Sequence, residues 1–230
     1  MLLFNGMYFR GSWRSPFAPL EQREAFYPAE GRKVSVPMMR SRGAFRVGHI
    51  PELDSVAVEL PYEGDRYSLL VLLPNAAGGL RSLVADLAGY SLRNLYESMA
   101  SREVEVTLPC FAIETITRPI PVFSKMGVSD VFSAEKADLR GVSSAGGLFV
   151  QDLVQLVTVR VDNSSSVLNQ ITSSSIESRT GSFEKIVADK PFLYFVRDIS
   201  DNLVVVAGKV VNPEDRPTTY KTTVVLPTIS

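Results

Sequence analysis

Residues 148–161 and 192–196 cluster apolar side chains as β-strands do, yet between them lies a long run dominated by small polar residues. Over 162–182 it reads Asp-Asn-Ser-Ser-Ser-Val-Leu-Asn-Gln-Ile-Thr-Ser-Ser-Ser-Ile-Glu-Ser-Arg-Thr-Gly-Ser. A structureless connection of roughly 20 residues inside a compact domain is uncommon, and it is either functional or a linker. Any fold assigned to this chain has to present such a segment between two strands. Near its far end stands a single basic residue, Arg179, followed by Thr180 and Gly181. An arginine in an exposed loop is a preferred nicking site for a trypsin-like protease. The segment reads equally well as a solvated linker with an incidental arginine.

Elsewhere strand signals dominate. Residues 56–62 and 67–74 are apolar runs joined by Glu63, Gly64, Asp65 and Arg66, which predicts a hairpin. Leu80, Leu83, Val84 and Leu87 recur at helical spacing. Leu92, Leu95, Tyr96 and Met99 do so again behind Ser91, a suitable cap. A strand is expected over 102–114, and Pro119 with Pro121 restricts any following helix to 122–127. Two further apolar runs, 192–196 and 203–207, are joined by a polar turn at 197–202. The tail from Asn212 carries Pro213, Pro217 and Pro227 and is read as irregular, with a possible short strand at 222–226.

Charge and rare residues exclude several function classes. Lys+Arg 24 against Asp+Glu 25 argues against a generic nucleic-acid binder, which would show a basic excess. No apolar run approaches the ~20 residues of a membrane span. The single cysteine, Cys110, cannot form an internal disulfide, and its alternating surroundings favour a small core residue over a reactive thiol. One histidine, His49, leaves little for a His/Cys metal site. A Ser-His-Asp triad would have to use it, and Gly141-Val142-Ser143-Ser144-Ala145 lacks the closing glycine of a nucleophile elbow. His49 is read as a surface or turn residue. No catalytic residues, metal ligands or cofactor motif are assigned. Asn163-Ser164-Ser165 fits an N-glycosylation acceptor, relevant only outside the cell. The opening residues lack a basic leader, and Asn5 and Gly6 interrupt the apolar stretch, so no signal peptide is read there. A strand starting at residue 2 suggests further sequence upstream.

Several blocks of the chain form an ordered set. The opening one holds Phe4, Asn5, Tyr8, Phe9, Gly11 and Trp13. Pro16-Phe17, Phe26-Tyr27 and Val36-Pro37-Met38-Met39 follow, then Val58-Glu59-Leu60-Pro61-Tyr62 with residues 70–74. Leu108-Pro109 with Phe111, Met126-Gly127, Asp130, Phe132-Ser133 and Ala137-Asp138-Leu139 come next. The series closes on Asp189, Pro191-Phe192-Leu193, Phe195, Arg197-Asp198, Gly208 and Val211-Asn212-Pro213. Together these blocks resemble the serpin family: they occur in its order and correspond to its C-terminal part, and the opening block looks like the central strand of its main sheet.

The resemblance implies an α+β fold, a truncated multi-domain serpin with mixed and antiparallel sheets, a few helices and a long exposed reactive loop. Residues 1–213 would form a partial serpin domain, with the loop at about 162–186, and 214–230 an irregular tail. It implies a serine-protease inhibitor, not an enzyme, acting extracellularly without nucleic-acid or membrane partners. Family spacing, counted from the glycine position held here by Ser165, makes Arg179 and Thr180 the bait bond for a trypsin-like serine protease. The loop's hinge would then insert between strands 2–9 and 148–161. That hinge departs from the family pattern: Asn163 replaces an acidic residue, Ser165 the glycine, and Val167, Leu168, Asn169, Gln170 and Ile171 an alanine-rich run. Ser164 also belongs to this hinge, and in that register Ser166, Leu168, Gln170 and Thr172 face the interior on insertion. Gln155 likewise stands where the family's sheet-opening region carries a histidine. A non-inhibitory role, as protease substrate or binding scaffold, therefore stays open. With the family's N-terminal helices and first strands unmatched, strand 2–9 is expected to leave an apolar face and an open edge.

Overall fold

The computed structural model describes residues 1–28, 32–144, 146–163 and 183–214. In chain order its elements begin with β1 (Leu2–Phe9), β2 (Ala18–Pro19), β3 (Glu24–Phe26), β4 (Val34–Val36), β5 (Met38–Ile50), β6 (Ser55–Pro61) and β7 (Tyr67–Pro74). Next come α1 (Leu80–Leu87), α2 (Leu92–Glu97), β8 (Ala100–Pro109), β9 (Phe111–Thr117) and α3 (Ile120–Lys125). The remaining strands are β10 (Asp152–Val161), β11 (Glu184–Val187), β12 (Phe192–Asp198) and β13 (Leu203–Val210). Mixed sheets with few helices make this an α+β fold. The chain divides into two compact units.

The larger unit comprises Arg10–Phe111 and Val161–Glu214. Its main sheet has the order β11-β8-β5-β6-β7-β12-β13, with β2 added on β5. β6, β7 and β12 are near-continuous apolar runs because both faces of the sheet are covered there. The expected hairpin of β6 and β7 is present, and Gly64 and Asp65 turn it with positive φ. On one face Leu80, Leu83 and Leu95 from the helices pack on Ile50, Leu53, Leu70, Leu72 and Leu193. Each such leucine contributes roughly 1.5–3 kcal/mol through burial.

Four expectations need correction. The strand read across 102–114 is two strands, because Pro109 has no N–H to offer a ladder and Cys110 donates its own to the Pro37 carbonyl at 2.9 Å. β8 stays in the large sheet while β9 joins another. The helix expected at 122–127 is Ile120–Lys125, since Pro121 falls in the first turn, where no N–H partner is needed. Arg197 does not lie in a turn: it is the sixth residue of β12 and is buried. Its Nη1 donates to Glu59 Oε1 at 3.0 Å, and its Nη2 to Asn202 Oδ1 at 2.6 Å. Ser68 Oγ also donates to Glu59 Oε1 at 2.8 Å, and the guanidinium lies 3.7 Å over the Tyr96 ring. The strand read at 148–161 begins at Asp152. The possible strand at 222–226 lies outside the described residues.

The smaller unit comprises Met1–Phe9 and Ala112–Arg160 among the described residues. Its sheet has the order β1-β10-β9. β1 and β10 run parallel in unbroken register from Leu2 opposite Asp152 to Phe9 opposite Val159. The Met1 ammonium anchors the start, donating to the Phe149 carbonyl at 2.6 Å. Among the described residues β1 is one of the sheet's two edges, and its Leu2, Leu3, Phe4 and Tyr8 are exposed although they alternate between faces. An uncharged apolar edge without proline invites pairing with another strand. The chain is therefore expected to self-associate in a concentration-dependent way, and Phe4→Lys, at a side chain 68% exposed, to reduce that association severalfold by light scattering. Monodisperse monomer for the natural chain would contradict the expectation.

Candidate functional site at the two ends of segment 164–182

The polar segment starts where β10 stops, and three pieces of the chain converge on its first residues. Past β1 come Arg10, Gly11 and Trp13; at the break between β8 and β9 lies Cys110; past β10 come Asp162 and Asn163. The Trp13 indole Nε1 donates to the Asp162 carbonyl at 3.0 Å. Arg10 Nη2 stands 3.5 Å from Asp162 Oδ2. The Asn163 backbone N–H bonds the Cys110 thiol. Burial, and after it the Asp162 carboxylate, pushes that thiol's pKa up. A raised pKa keeps the sulfur protonated, in keeping with an unreactive thiol, but Cys110 is half-buried and not the core residue expected.

Aromatic packing fixes Trp13 in place. It is buried, stacks on Tyr62 with ring centroids 4.4 Å apart and planes at 15°, and tilts against Phe17 at 5.0 Å. Gly11 makes room for this stack: a Cβ there would stand 2.6 Å from Tyr62 Cδ1, well inside contact distance.

At the far end the described chain resumes at Phe183, over whose ring the Arg42 guanidinium lies at 4.8 Å. Arg42 also donates to Glu105 at 2.6 Å, and this bond holds the Glu105 carboxyl below the usual carboxylate range. β11 follows at once, parallel to β8 from Glu184 opposite Val104 to Val187 opposite Thr107. Glu184 is 2.9 Å from His49 Nε2 and 3.9 Å from Arg102. His49 is thus an exposed residue of β5, as expected of a surface histidine, though on a strand.

Of the hinge residues named from sequence, Asn163 is described and is bound to Cys110 through its backbone. Ser164, Ser165, Ser166, Val167, Leu168, Gln170 and Thr172 lie outside the described residues, as do Arg179 and Thr180. The two strands expected to receive the hinge, β1 and β10, are paired directly with each other, Gln155 standing opposite Asn5. Arg10, Asp162 and Cys110 were not legible as partners in advance. The only local signal is that Asp162 opens the change in composition. Among the described residues no group of three or more His, Cys, Asp or Glu could hold a metal. No helix among them is long and apolar enough to cross a membrane.

Comparison with known proteins adds a family match. The family model described as "Serpin (serine protease inhibitor)" matches residues 1–213. Serpin B11 of Homo sapiens is 31% identical over 217 residues, covering 93% of this chain and 55% of that protein. Antithrombin-III of Ovis aries is 31% identical over 218 residues, covering 93% of this chain and 47% of its own length. Among solved structures, uncleaved ovalbumin matches with a TM-score of 0.74 and 28% identity, over 91% of this chain and 53% of that one. The chain spans about half the length of the curated relatives it matches.

Proposed function

The chain belongs to the serpin family, and from that premise we propose that it is a serpin-type serine-protease inhibitor whose bait bond joins Arg179 to Thr180. The observation that carries this reading is the direct pairing of β1 with β10, while the polar segment leaves from the end of β10 and returns as β11. A closed strand pair with the polar segment following directly from one of its strands is the arrangement that insertion of that segment requires as its starting point. We take 1–213 as the serpin portion, about 162–186 as its loop, and 214–230 as a tail. The chain then acts as a decoy substrate, not a catalyst. We place its action outside the cell on family resemblance; one relative, from Tachypleus tridentatus, carries the name "Intracellular coagulation inhibitor 1".

In the proposed reaction the hydroxyl of the protease's serine attacks the Arg179 carbonyl carbon, and its proton passes to the enzyme's histidine. The C–N bond to Thr180 breaks, the departing nitrogen takes that proton, and Arg179 is left as an ester of the serine. An arginine side chain suits the acidic specificity pocket of a trypsin-like enzyme. From the ester there are two exits. Water can hydrolyse it, freeing the enzyme. Alternatively, the residues ahead of Arg179 enter between β1 and β10 as a new strand and carry the enzyme away.

The hinge weighs on that competition. Burying the Gln170 amide unpaired would cost about 1–3 kcal/mol, and Leu168 must find space in a close-packed interior. Each 1.4 kcal/mol added to the insertion barrier slows it about tenfold. These residues favour a second reading, in which the chain is cleaved as a substrate more often than it traps. Replacing both, as Leu168→Ala with Gln170→Ala, is expected to raise the ratio of trapped complex to cleaved chain about tenfold. Densitometry of the reaction with trypsin measures that ratio, and an unchanged ratio would remove the hinge from the explanation.

The bait itself is tested with limiting trypsin followed by mass measurement. The first cut is expected to give fragments 1–179 and 180–230. A first cut elsewhere, with the Arg179–Thr180 bond intact, would overturn the assignment.

A further inference from the structure

The sequence contains a single Asn-Gly step, Asn5-Gly6, and the fold sets it in the middle of β1, an edge of its sheet among the described residues. Both residues are exposed, and Asn5 stands opposite Gln155 of β10. A methyl group added at Gly6 would meet no atom within 4 Å, so the space beside the step is open. From Leu2 to Phe9 the strand carries no charge. Lying at the edge of a sheet and near a chain end, β1 belongs to the class of elements that open locally at low cost. Glycine after asparagine matters chemically, because its nitrogen is unhindered and its backbone reaches turned conformations that other residues resist.

We infer that Asn5 is a modification site: it converts slowly and without an enzyme to aspartate and isoaspartate, and the charge so created closes the β1 edge to pairing. The Gly6 backbone nitrogen, having given its proton to hydroxide, attacks the carbonyl carbon of the Asn5 side chain. The bond from that carbon to the amide nitrogen breaks, the nitrogen takes a proton from water and leaves as ammonia, and a five-membered imide remains. Water then opens the imide at one carbonyl or the other, giving aspartate or isoaspartate. One water enters and one ammonia departs, and nothing is oxidised or reduced. Extended backbone does not bring that nitrogen onto the carbonyl carbon. The ring therefore closes in molecules whose β1 has peeled from β10, and the rate follows how often it peels. A carboxylate in the middle of an uncharged edge strand opposes the pairing that the edge invites. Isoaspartate adds a main-chain carbon as well, which breaks the register of Asn5 with Gln155. None of these steps depends on the bait-loop reading.

The test incubates the whole chain in mildly alkaline buffer, then denatures it and digests it with trypsin. The fragment Met1–Arg10 carries the Asn-Gly step. It is expected to gain about one dalton with time and to become a substrate for methyl transfer specific to isoaspartate. The gain is expected to be slower in the folded chain than in the same chain held in urea. Gly6→Ala is expected to slow it about tenfold, because a Cβ crowds the attacking nitrogen and narrows the backbone's choices, while the open space at Gly6 lets the variant keep its strand. No gain in the folded chain while the urea sample converts fully, or an equal rate in Gly6→Ala, would overturn the site. A second arm compares light scattering of the natural chain, Asn5→Gln and Asn5→Asp. Asn5→Asp is expected to associate severalfold less than the other two. Scattering from Asn5→Asp equal to theirs would overturn the link between the modification and pairing. Neither arm involves the Arg179–Thr180 bond, so failure here and failure of the bait assignment are separate results.

Discussion

Replacing Arg179 with alanine is expected to lower the rate of trypsin cleavage between 179 and 180 by about 10³-fold or more, while Arg179→Lys stays within roughly a factor of ten of the natural rate. The size follows from the pocket rather than from the loop. A protease site built around a buried carboxylate binds a guanidinium through charge-assisted hydrogen bonds. A side chain lacking the cation leaves that carboxylate unpaired, and sites built on buried polar recognition reject such analogues by about 10⁴-fold or more. Other arginines offer competing bonds. Arg140 is the sharpest control: its side chain is 80% exposed, but it is tied to Asp138 at 2.6 Å. Initial rates read from fragment masses decide between them. Cleavage of Arg179→Ala at the natural overall rate, with fragments ending at Arg140, would show that 162–182 is a linker.

The second large effect is on stability. Arg197→Ala is expected to destabilise the chain by about 3–5 kcal/mol, the range for removing one partner of a buried ion pair. Glu59 and Arg197 have side chains 7% and 10% exposed, and Arg197 supplies the short contact at 3.0 Å. What remains to Glu59 is the Ser68 hydroxyl and Arg46, whose guanidinium is 3.6 Å away and 45% exposed. Arg46 can move inward, so the lower end of the range is expected. For a domain of this size that corresponds to a fall in Tm of roughly 6–12 °C. Removing both charges together, as Glu59→Leu with Arg197→Met, is expected to recover most of the loss, because neither buried charge is then stranded. Thermal melts of the three variants test this. A double variant no better than Arg197→Ala would mean that packing against Tyr96, not charge pairing, is what Arg197 provides.

Much of the fold was legible because its signals are local. The hairpin of β6 and β7 shows in two apolar runs and a turn whose Gly64 and Asp65 take positive φ. The helices α1 and α2 show in leucine spacing. Where partners lie far apart in sequence the residues gave no warning. Arg197 follows an apolar run and looks like the start of a turn; only Glu59, 138 positions away, makes its burial tolerable. The alternation through Cys110 continues smoothly, so nothing local reveals that β8 and β9 enter different sheets. β5 went unread because Ser41 and Gly43 occupy inward positions between Arg40, Arg42 and Arg46. The hydrogen bond from Trp13 to the Asp162 carbonyl is the extreme case, since its partners are 149 positions apart. The bait bond, by contrast, rests on composition and family spacing alone.

Whether the polar segment can trap an enzyme is decided most directly by denaturing electrophoresis of the chain after mixing with excess trypsin. The expected result is a minor band at the combined mass that survives boiling, beside a larger amount of chain cut after Arg179, with the band strengthened in the Leu168→Ala, Gln170→Ala variant. Complete cutting after Arg179 with no such band, in either protein, would contradict trapping and leave a cleavable scaffold.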